Sequence, residues 1–314
     1  MSTVLCVILN WRTAEMSLKA ARAAMVAMEG IDGAITLVDN DSQDGSYESM
    51  AEATRDWPRV RVLQSGRNGG YGAGNNCGIR AGLPDGARPD YVYILNSDAF
   101  PAPDAIRTLV AYLDSHPAVG FAGSHIHGDD GAPHTTAFRF PTIASEFEGA
   151  AKTGPVSRLL KNSIVAPDLP TETTPVDWLA GASVLMRRSV LDQVGLFDES
   201  FFLYFEETDL CLRAARAGWP TVYVVESRVM HLGSVSTGMK EWRRVPGYWF
   251  ASRRHYFQKN HGRLYALAAT LAHVAGLGLY GLRVLVQRKK PHTPPYFLRD
   301  LVKHEWGTRR PQES

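Results

Sequence analysis

The run Val4-Leu5-Cys6-Val7-Ile8-Leu9-Asn10 is apolar until it stops at a polar side chain. Ala34-Ile35-Thr36-Leu37-Val38-Asp39 repeats the pattern, and Tyr91-Val92-Tyr93-Ile94-Leu95-Asn96-Ser97-Asp98 repeats it again. Short, β-rich apolar runs with no polar alternation mark strands covered on both faces. Between the first two, Thr13–Met28 carries Ala, Leu and Met at helical spacing. Outward from this core, Tyr47–Arg55 and Pro103–Ser115 read as helices, and Val60–Leu63 and Val119–Ala122 as strands. Strand–helix alternation predicts an α/β fold with a mostly parallel sheet between two helical layers. Such sheets bind ligands beyond the carboxyl ends of their strands. Asn10, Asp39 and Asp98 stand at those ends.

The middle of the chain, Ile126–Pro175, is rich in Gly, Pro, Thr and His and reads as an extended loop or insertion. Order resumes with a strand at Trp178–Met186, a short helix at Ser189–Val194 and an aromatic segment at Leu196–Phe205. A helix at Glu207–Ala217 and a strand at Thr221–Val225 lead to His231. Beyond Pro246 the pattern is helical, with an apolar stretch at Leu264–Leu282 and a basic tail from Arg288.

With 45% hydrophobic and 21% charged residues over 314 positions, the composition is that of a globular protein with a sizeable core. The net charge of +2 hides an asymmetry. Between Lys240 and Arg310, 15 Lys and Arg face 3 Asp and Glu, a surplus of +12, so the rest is acidic. That surplus points to an anionic partner for the C-terminal end, such as phospholipid, a lipid-linked phosphate or nucleic acid. Three scattered cysteines with no metal spacing suit a reducing compartment. The N-terminus lacks the basic region and cleavage site of a signal peptide, so a cytoplasmic protein is expected.

Four polar clusters carry candidate chemistry. In Asn96-Ser97-Asp98 a lone strand-end carboxylate suits a hard cation shared with a diphosphate; it equally suits a helix cap. In Asp39-Asn40-Asp41-Ser42 a carboxylate can accept from a nucleobase, and the same residues form turns. The stretch Asn68-Gly69-Gly70-Tyr71-Gly72-Ala73-Gly74-Asn75-Asn76 allows close backbone approach, and a helix starting there offers N–H groups to phosphate; the alternative is a flexible loop. The pair Glu206-Glu207, flanked by aromatics, suits a partly desolvated base or an acidic helix start. A lone His231 in apolar surroundings suits a structural role as well as a ligand.

Taken together, these clusters resemble the inverting family-two glycosyltransferases with the GT-A fold, especially the bacterial rhamnosyltransferase-like branch. The pieces are Val7–Trp11, Val38–Ser46, Asn68–Asn76, Leu95–Asp98, Gly181–Ser183, Phe197–Phe202 and Glu206–Leu210. The resemblance implies a Rossmann-like nucleotide-diphospho-sugar transferase over residues 1–245, with a donor-binding half (1–125) and an acceptor-binding half (126–245). A basic helical extension (246–314) follows. It implies nucleotide-sugar contacts from Asn10, Asp39, Asn68, Gly70, Asn76, Asn96 and Ser97. It places Mg²⁺ or Mn²⁺ on Asp98 and His231, acceptor or sugar contacts on Trp178, Gly181, Ala182 and Asp198, and the general base on Glu207, with Glu206 as rival. Two positions depart from the family pattern: Asn96 replaces the first Asp of the DxD motif, and Glu207 replaces the usual Asp of the base motif.

The implied partners are a dTDP- or UDP-sugar, with rhamnose preferred, and a glycan or lipid-linked glycan acceptor, in polysaccharide or cell-envelope biosynthesis. Nucleic acid is not expected, and oligomerisation is left open. A sugar-phosphate nucleotidyltransferase and a non-catalytic membrane-associated protein of the same fold are the alternatives. Leu264–Leu282 holds no charged residue and precedes Arg283, Arg288, Lys289 and Lys290. It is just long enough to span a bilayer of about 20 residues. Its glycines and its basic flank favour a helix lying in the cytoplasmic interface, or one packed on the catalytic domain.

Overall fold

The computed structural model describes residues 2–233, 243–290 and 293–306. The ends of the basic stretch, Lys240 and Arg309 with Arg310, lie outside the described residues. The first half alternates as read: β1 Thr3–Asn10, α1 Ala14–Ala27, β2 Asp32–Asp39, α2 Ser46–Ala53, β3 Val60–Gln64, α3 Tyr71–Ala81 and β4 Tyr91–Asn96. Then come β5 Ala99–Pro101, α4 Ala105–Ser115, β6 Phe121–His127, β7 Ala137–Phe138, α5 Ile143–Ala151, α6 Gly154–Leu159, β8 Thr174–Val176, β9 Trp178–Leu179 and β10 Ser183–Arg187. The last part holds α7 Arg188–Val194, α8 Glu206–Arg216, β11 Thr221–His231, α9 Gly247–His261, α10 Arg263–Val286 and α11 Phe297–Trp306.

The main sheet runs β3-β2-β1-β4-β10-β6-β11-β5, with β8 added on β11. β3, β2, β1 and β4 are parallel, β10 is antiparallel to both its neighbours, and β6 and β11 are parallel. Alternation along β1 sends Val4, Cys6 and Ile8 into the layer under α1 and α4, and Leu5 and Val7 into the layer under α3, α7 and α8. This double coverage explains the unbroken apolar runs. From β1 the chain steps one way to β2 and β3, then returns to the far side of β1 as β4. Strand order reverses there, so the crevice for a ligand opens beyond Asn10 and Asn96.

Three segments differ from the sequence reading. Residues 126–175 are not one extended loop: Thr142 accepts from Ser145 N–H and Ser145 returns the bond, a capping box that starts α5. The expected strand at Trp178–Met186 is two, β9 pairing with β7 and β10 joining the main sheet. The strand expected at Thr221–Val225 continues through a register shift after Val224 to His231. Of the two readings of the Gly/Asn-rich stretch, the helix is the one the structure has: α3 runs from Tyr71 onward.

The C-terminal helices pack on the rest. Phe201, Leu212, Tyr256, Phe257, Ala266 and Ala269 form one buried cluster that joins the aromatic segment, α8, α9 and α10. Arg253, only 1% exposed, meets Glu146 on α5 through Nε and Nη2 and donates to Thr270 on α10. Cys6, Cys77 and Cys211 are all unpaired.

Candidate active site

At the carboxyl end of β2, Asp39 is buried and held by three hydrogen bonds, which leave one acceptor position on Oδ2. Its Oδ1 accepts from Asn10 Nδ2 at 2.7 Å and from Ser42 Oγ at 2.6 Å, and its Oδ2 accepts from Ser42 N–H at 3.1 Å. Asn10 is in turn held by Ser17, whose hydroxyl donates to Asn10 Oδ1 at 2.8 Å. Asn10 therefore orients Asp39 at the rim of the crevice. Beside them Arg12, with φ 56°, donates through Nε to the Ser42 carbonyl and lies over the Trp11 ring at 4.7 Å.

The Gly-rich turn locks this rim to the second half of the site. Asn68 Oδ1 accepts from Asn40 Nδ2 (3.0 Å) and from Gly70 N–H (3.1 Å). Gly70 has φ +87°, and a Cβ there would stand 1.9 Å from the Phe202 carbonyl oxygen, so no other residue fits. Asn76 is wholly buried: its Nδ2 donates to the Phe197 carbonyl and to Glu199, and its Oδ1 accepts from Phe197 N–H. Its side chain thus ties α3 to the aromatic loop.

Asp98 and His231 are 133 positions apart, yet β5 pairs antiparallel with β11 and sets Ala99 opposite His231. His231 Nε2 lies 3.0 Å from Asp98 Oδ1 and 3.5 Å from Asn96 Nδ2. Ser97 meets Thr13 Oγ1 at 3.3 Å, at the start of α1. Among the described residues no three His, Cys, Asp or Glu side chains stand together as a metal cage. One carboxylate and one imidazole suit a cation that takes its other ligands from diphosphate and water.

Glu206 and Glu207 open α8 on the other wall. Glu207 Oε1 accepts from Gly181 N–H at 3.1 Å, and Tyr71 Oη donates to the Gly181 carbonyl at 2.7 Å. Burial raises the Glu207 carboxyl above the usual glutamate range. Glu206 is 1% exposed, its Oε2 has no hydrogen-bond partner, and burial followed by the charge of Glu207 raises it much further. The two carboxyls titrate as a pair, both raised by burial, and Glu207 is the one with a backbone N–H donor to hold its charged form. Tyr71 is pushed up by burial, then by Glu207, Glu206 and Asp98, which places it within electrostatic range of both walls.

Gly181 is tightly constrained: a Cβ would meet Tyr71 Oη at 2.3 Å and Glu207 Oε1 at 3.0 Å. In Gly181→Ala we expect turnover to fall by roughly 10²-fold, the cost of misplacing a catalytic group by about 1 Å. Donor affinity, read by titration calorimetry, should change little; equal losses in both would sink the assignment. Ala182, next in the chain, is buried and accepts from Asn96 N–H at 3.1 Å. Trp178 stacks on Phe138 at 4.3 Å and donates to the Arg139 carbonyl, making a wall that leads to Gly181.

The glutamate pair follows strained backbone. Tyr204 and Phe205 have φ of 69° and 70°, a region costing bulky residues about 1–3 kcal/mol each. Helix α9 holds them: Ser252 donates to the Leu203 carbonyl, Tyr204 stacks with Tyr248, and Phe205 packs on Trp249 and Tyr256. Asp198 anchors the start of the same loop. Burial opposes its charge, but hydrogen bonds from Lys259 and His255 outweigh this and hold it well below the usual carboxylate range. Lys259 Nζ reaches Asp198 (2.8 Å) and Asp209 (2.7 Å) together.

The family model described as "Glycosyltransferase like family 2" matches residues 3–255. The chain belongs to this family. The protein is a glycosyltransferase that uses a nucleotide sugar. It is 33% identical over 217 residues to an N-acetylglucosaminyl-diphospho-decaprenol L-rhamnosyltransferase of Mycobacterium tuberculosis, covering 65% of this chain and 68% of that protein. It is 30% identical over 166 residues to Rhamnosyltransferase WbbL of Escherichia coli, covering 52% and 60%. A mannosyltransferase from Pyrobaculum calidifontis, solved with GDP-Man and Mn²⁺, shares the fold at TM-score 0.55 and 14% identity, over 98% of this chain and 88% of that one.

In this glycosyltransferase the structure brings Asn10, Asp39, Asn68, Gly70, Asn96, Ser97, Asp98 and His231 to one rim, and Gly181 and Glu207 to the facing wall. Asn76 ties α3 to the aromatic loop, and Asp198 ties that loop to α9. Tyr71 and Lys259 were not singled out by sequence. Tyr71 stood inside the quoted Gly-rich motif, a tyrosine among residues otherwise small or polar. Lys259 carried no local signal, because its partners are 61 and 50 positions away.

Proposed function

We propose that the glycosyltransferase transfers a hexosyl group, rhamnose being preferred, from a dTDP- or UDP-sugar to a hydroxyl of a lipid-linked glycan, with inversion. The observation that carries this is Glu207, a carboxyl raised by burial and fixed by Gly181 N–H, next to Ala182, whose carbonyl accepts from Asn96 N–H at the rim that holds Asp98. Glu207 takes the acceptor hydroxyl proton as that oxygen bonds to the anomeric carbon, and the bond to diphosphate breaks. A base raised toward the working pH takes that proton more readily. Asp39 accepts from the nucleobase, and Asn10 and Ser42 keep its carboxylate oriented. Asp98 and His231 would hold Mg²⁺ or Mn²⁺, which offsets charge on the departing diphosphate. Gly181 and Trp178 border the acceptor side. The preference for rhamnose and for a lipid-linked acceptor rests on the relatives' named activities.

We place the protein at the cytoplasmic leaflet, where nucleotide sugar and lipid-linked acceptor meet. The exposed apolar face of α10 with its basic flank supports this. Incubation with a set of nucleotide sugars tests the transfer: nucleoside diphosphate should form with one donor and rise with acceptor. Release of pyrophosphate from a nucleoside triphosphate and sugar phosphate would instead make it a nucleotidyltransferase.

A further inference from the structure

Helix α10 has two opposite faces. Ala266, Ala269, Thr270, Gly276 and Tyr280 are buried, and Gly276 lets the helix close on α5: a Cβ there would stand 2.6 Å from the Phe147 carbonyl oxygen. Leu264, Leu271, Leu282 and Val286 fall on the other side at helical spacing and are 85, 52, 64 and 82% exposed. Helix α11 adds Leu298, Val302 and Trp306 to the exposed apolar surface.

Between the C-terminal half of α10 and the start of α11 runs a groove of about 660 Å³. Leu277, Gly281, Val284 and Leu298 line it, and Arg288 and Lys289 close one end. Nothing lies within 4 Å of a Cβ built on Gly281, so the groove is open at its centre. The nearby acids do not cancel the positive end. Asp300 is held by two hydrogen bonds from Arg244, and Glu305 is largely buried and accepts from Thr270. Lys290, Arg299 and Lys303 extend the cationic surface.

We propose that this groove seats one anionic membrane phospholipid, its phosphate between Arg288 and Lys289 and its acyl chains along Leu277, Gly281, Val284 and Leu298. An apolar trough ending in two cations matches an amphiphile with a charged head. A soluble phosphate would leave the trough unused. A second copy of the chain would bring its own cations against these. The volume lies in the range of sites that enclose a small ligand, roughly 300–1,000 Å³. The seat deepens the membrane reading above: it fixes which face of α10 meets the leaflet and gives that contact a headgroup preference.

The test titrates the full chain with dihexanoyl phosphatidylglycerol below its micelle concentration, following the methyl signals of Leu and Val by NMR. Saturable binding at one site is expected. Dihexanoyl phosphatidylcholine, with the same chains and no net charge, should bind about tenfold more weakly, and inorganic phosphate should not compete. Gly281→Trp fills the trough from an open position and should weaken binding by at least about tenfold while thermal unfolding stays in place. The pair Arg288→Glu with Lys289→Glu, which leaves the trough intact, should abolish the headgroup preference. No saturable binding by wild type, or unchanged affinity in Gly281→Trp, overturns the proposal, as does equal binding of the two lipids. Flotation with anionic vesicles and nucleoside diphosphate release are read alongside. Flotation that persists in Gly281→Trp with unchanged affinity retains the membrane reading and rejects the seat. Loss of diphosphate release in wild type rejects the transferase reading and leaves the lipid titration valid.

Discussion

Glu207→Gln should cut turnover by about 10²–10⁴-fold, the share of a positioned general base, with donor affinity and unfolding temperature unchanged. The amide keeps the size of the side chain and can still accept from Gly181 N–H, so the loss isolates proton transfer. Glu206→Gln should be mild, because an amide resembles the protonated acid that burial enforces there. A dead Glu206→Gln beside a nearly normal Glu207→Gln would reverse the two roles. In wild type the acid limb of the rate profile should fall above pH 4.5, the ordinary glutamate value, because Glu207 must be ionised to accept a proton. Stability carries a further sign. Glu206 binds its proton more tightly folded than unfolded, so its contribution is full below pH 4.5 and declines as pH rises toward its folded value. Glu206→Gln should therefore flatten the loss of stability between acid and neutral pH, read as unfolding temperature against pH.

Asp98→Ala should lower activity by roughly 10³-fold, in keeping with a metal contribution of several kcal/mol to charge stabilisation. The carboxylate stands at the rim where strand order reverses, 3.0 Å from His231. Mn²⁺ titration by electron paramagnetic resonance, with nucleotide present, should show weakened binding in the variant. His231→Ala should follow in the same direction with a smaller loss. Full wild-type activity in excess chelator would remove the cation from the reaction and leave Asp98 a cap or a sugar contact.

The rim of the site was legible because parallel strands announce themselves. β1, β2 and β4 are continuous apolar runs, and the residue at which each stops is the one that faces the crevice. Asn10, Asp39 and Asn96 are placed by that alone, with Asp98 two residues on; the roles of Asp39 and Asp98 needed the family pattern. Glu207 needed the paired acids and the family pattern, and its hold on Gly181 had no local trace. The break between Trp178 and Ser183 was hidden because both halves are apolar; what divides them is the crowding of Gly181 between Tyr71 and Glu207. Helix α5 was missed because Gly, Pro and His dominate the surrounding 126–175, although Thr142 and Ser145 offered a capping signal. The pairing of His231 with Asp98 depends on β5, three residues long and too short to carry a pattern.

The grip of α9 on the strained residues before Glu206 bears on how such enzymes exchange parts. Tyr248, Trp249, Ser252 and Lys259 belong to α9 by sequence, yet they hold the turn that presents Glu206 and Glu207. A chimera that borrows a foreign C-terminal region from a relative must therefore import a helix that matches the recipient's 197–205 turn, or inherit a misaimed Glu207. Recombination would fail at the junction before α9, and at Gly262, where φ +88° separates α9 from α10, it would succeed only with a graft that keeps the α10 residues packed on α9 and α5: Ala266, Ala269, Thr270 and Gly276. The inherited unit is thus the sheet together with α9 and the buried face of α10, and the portion free to diversify is the exposed face of α10.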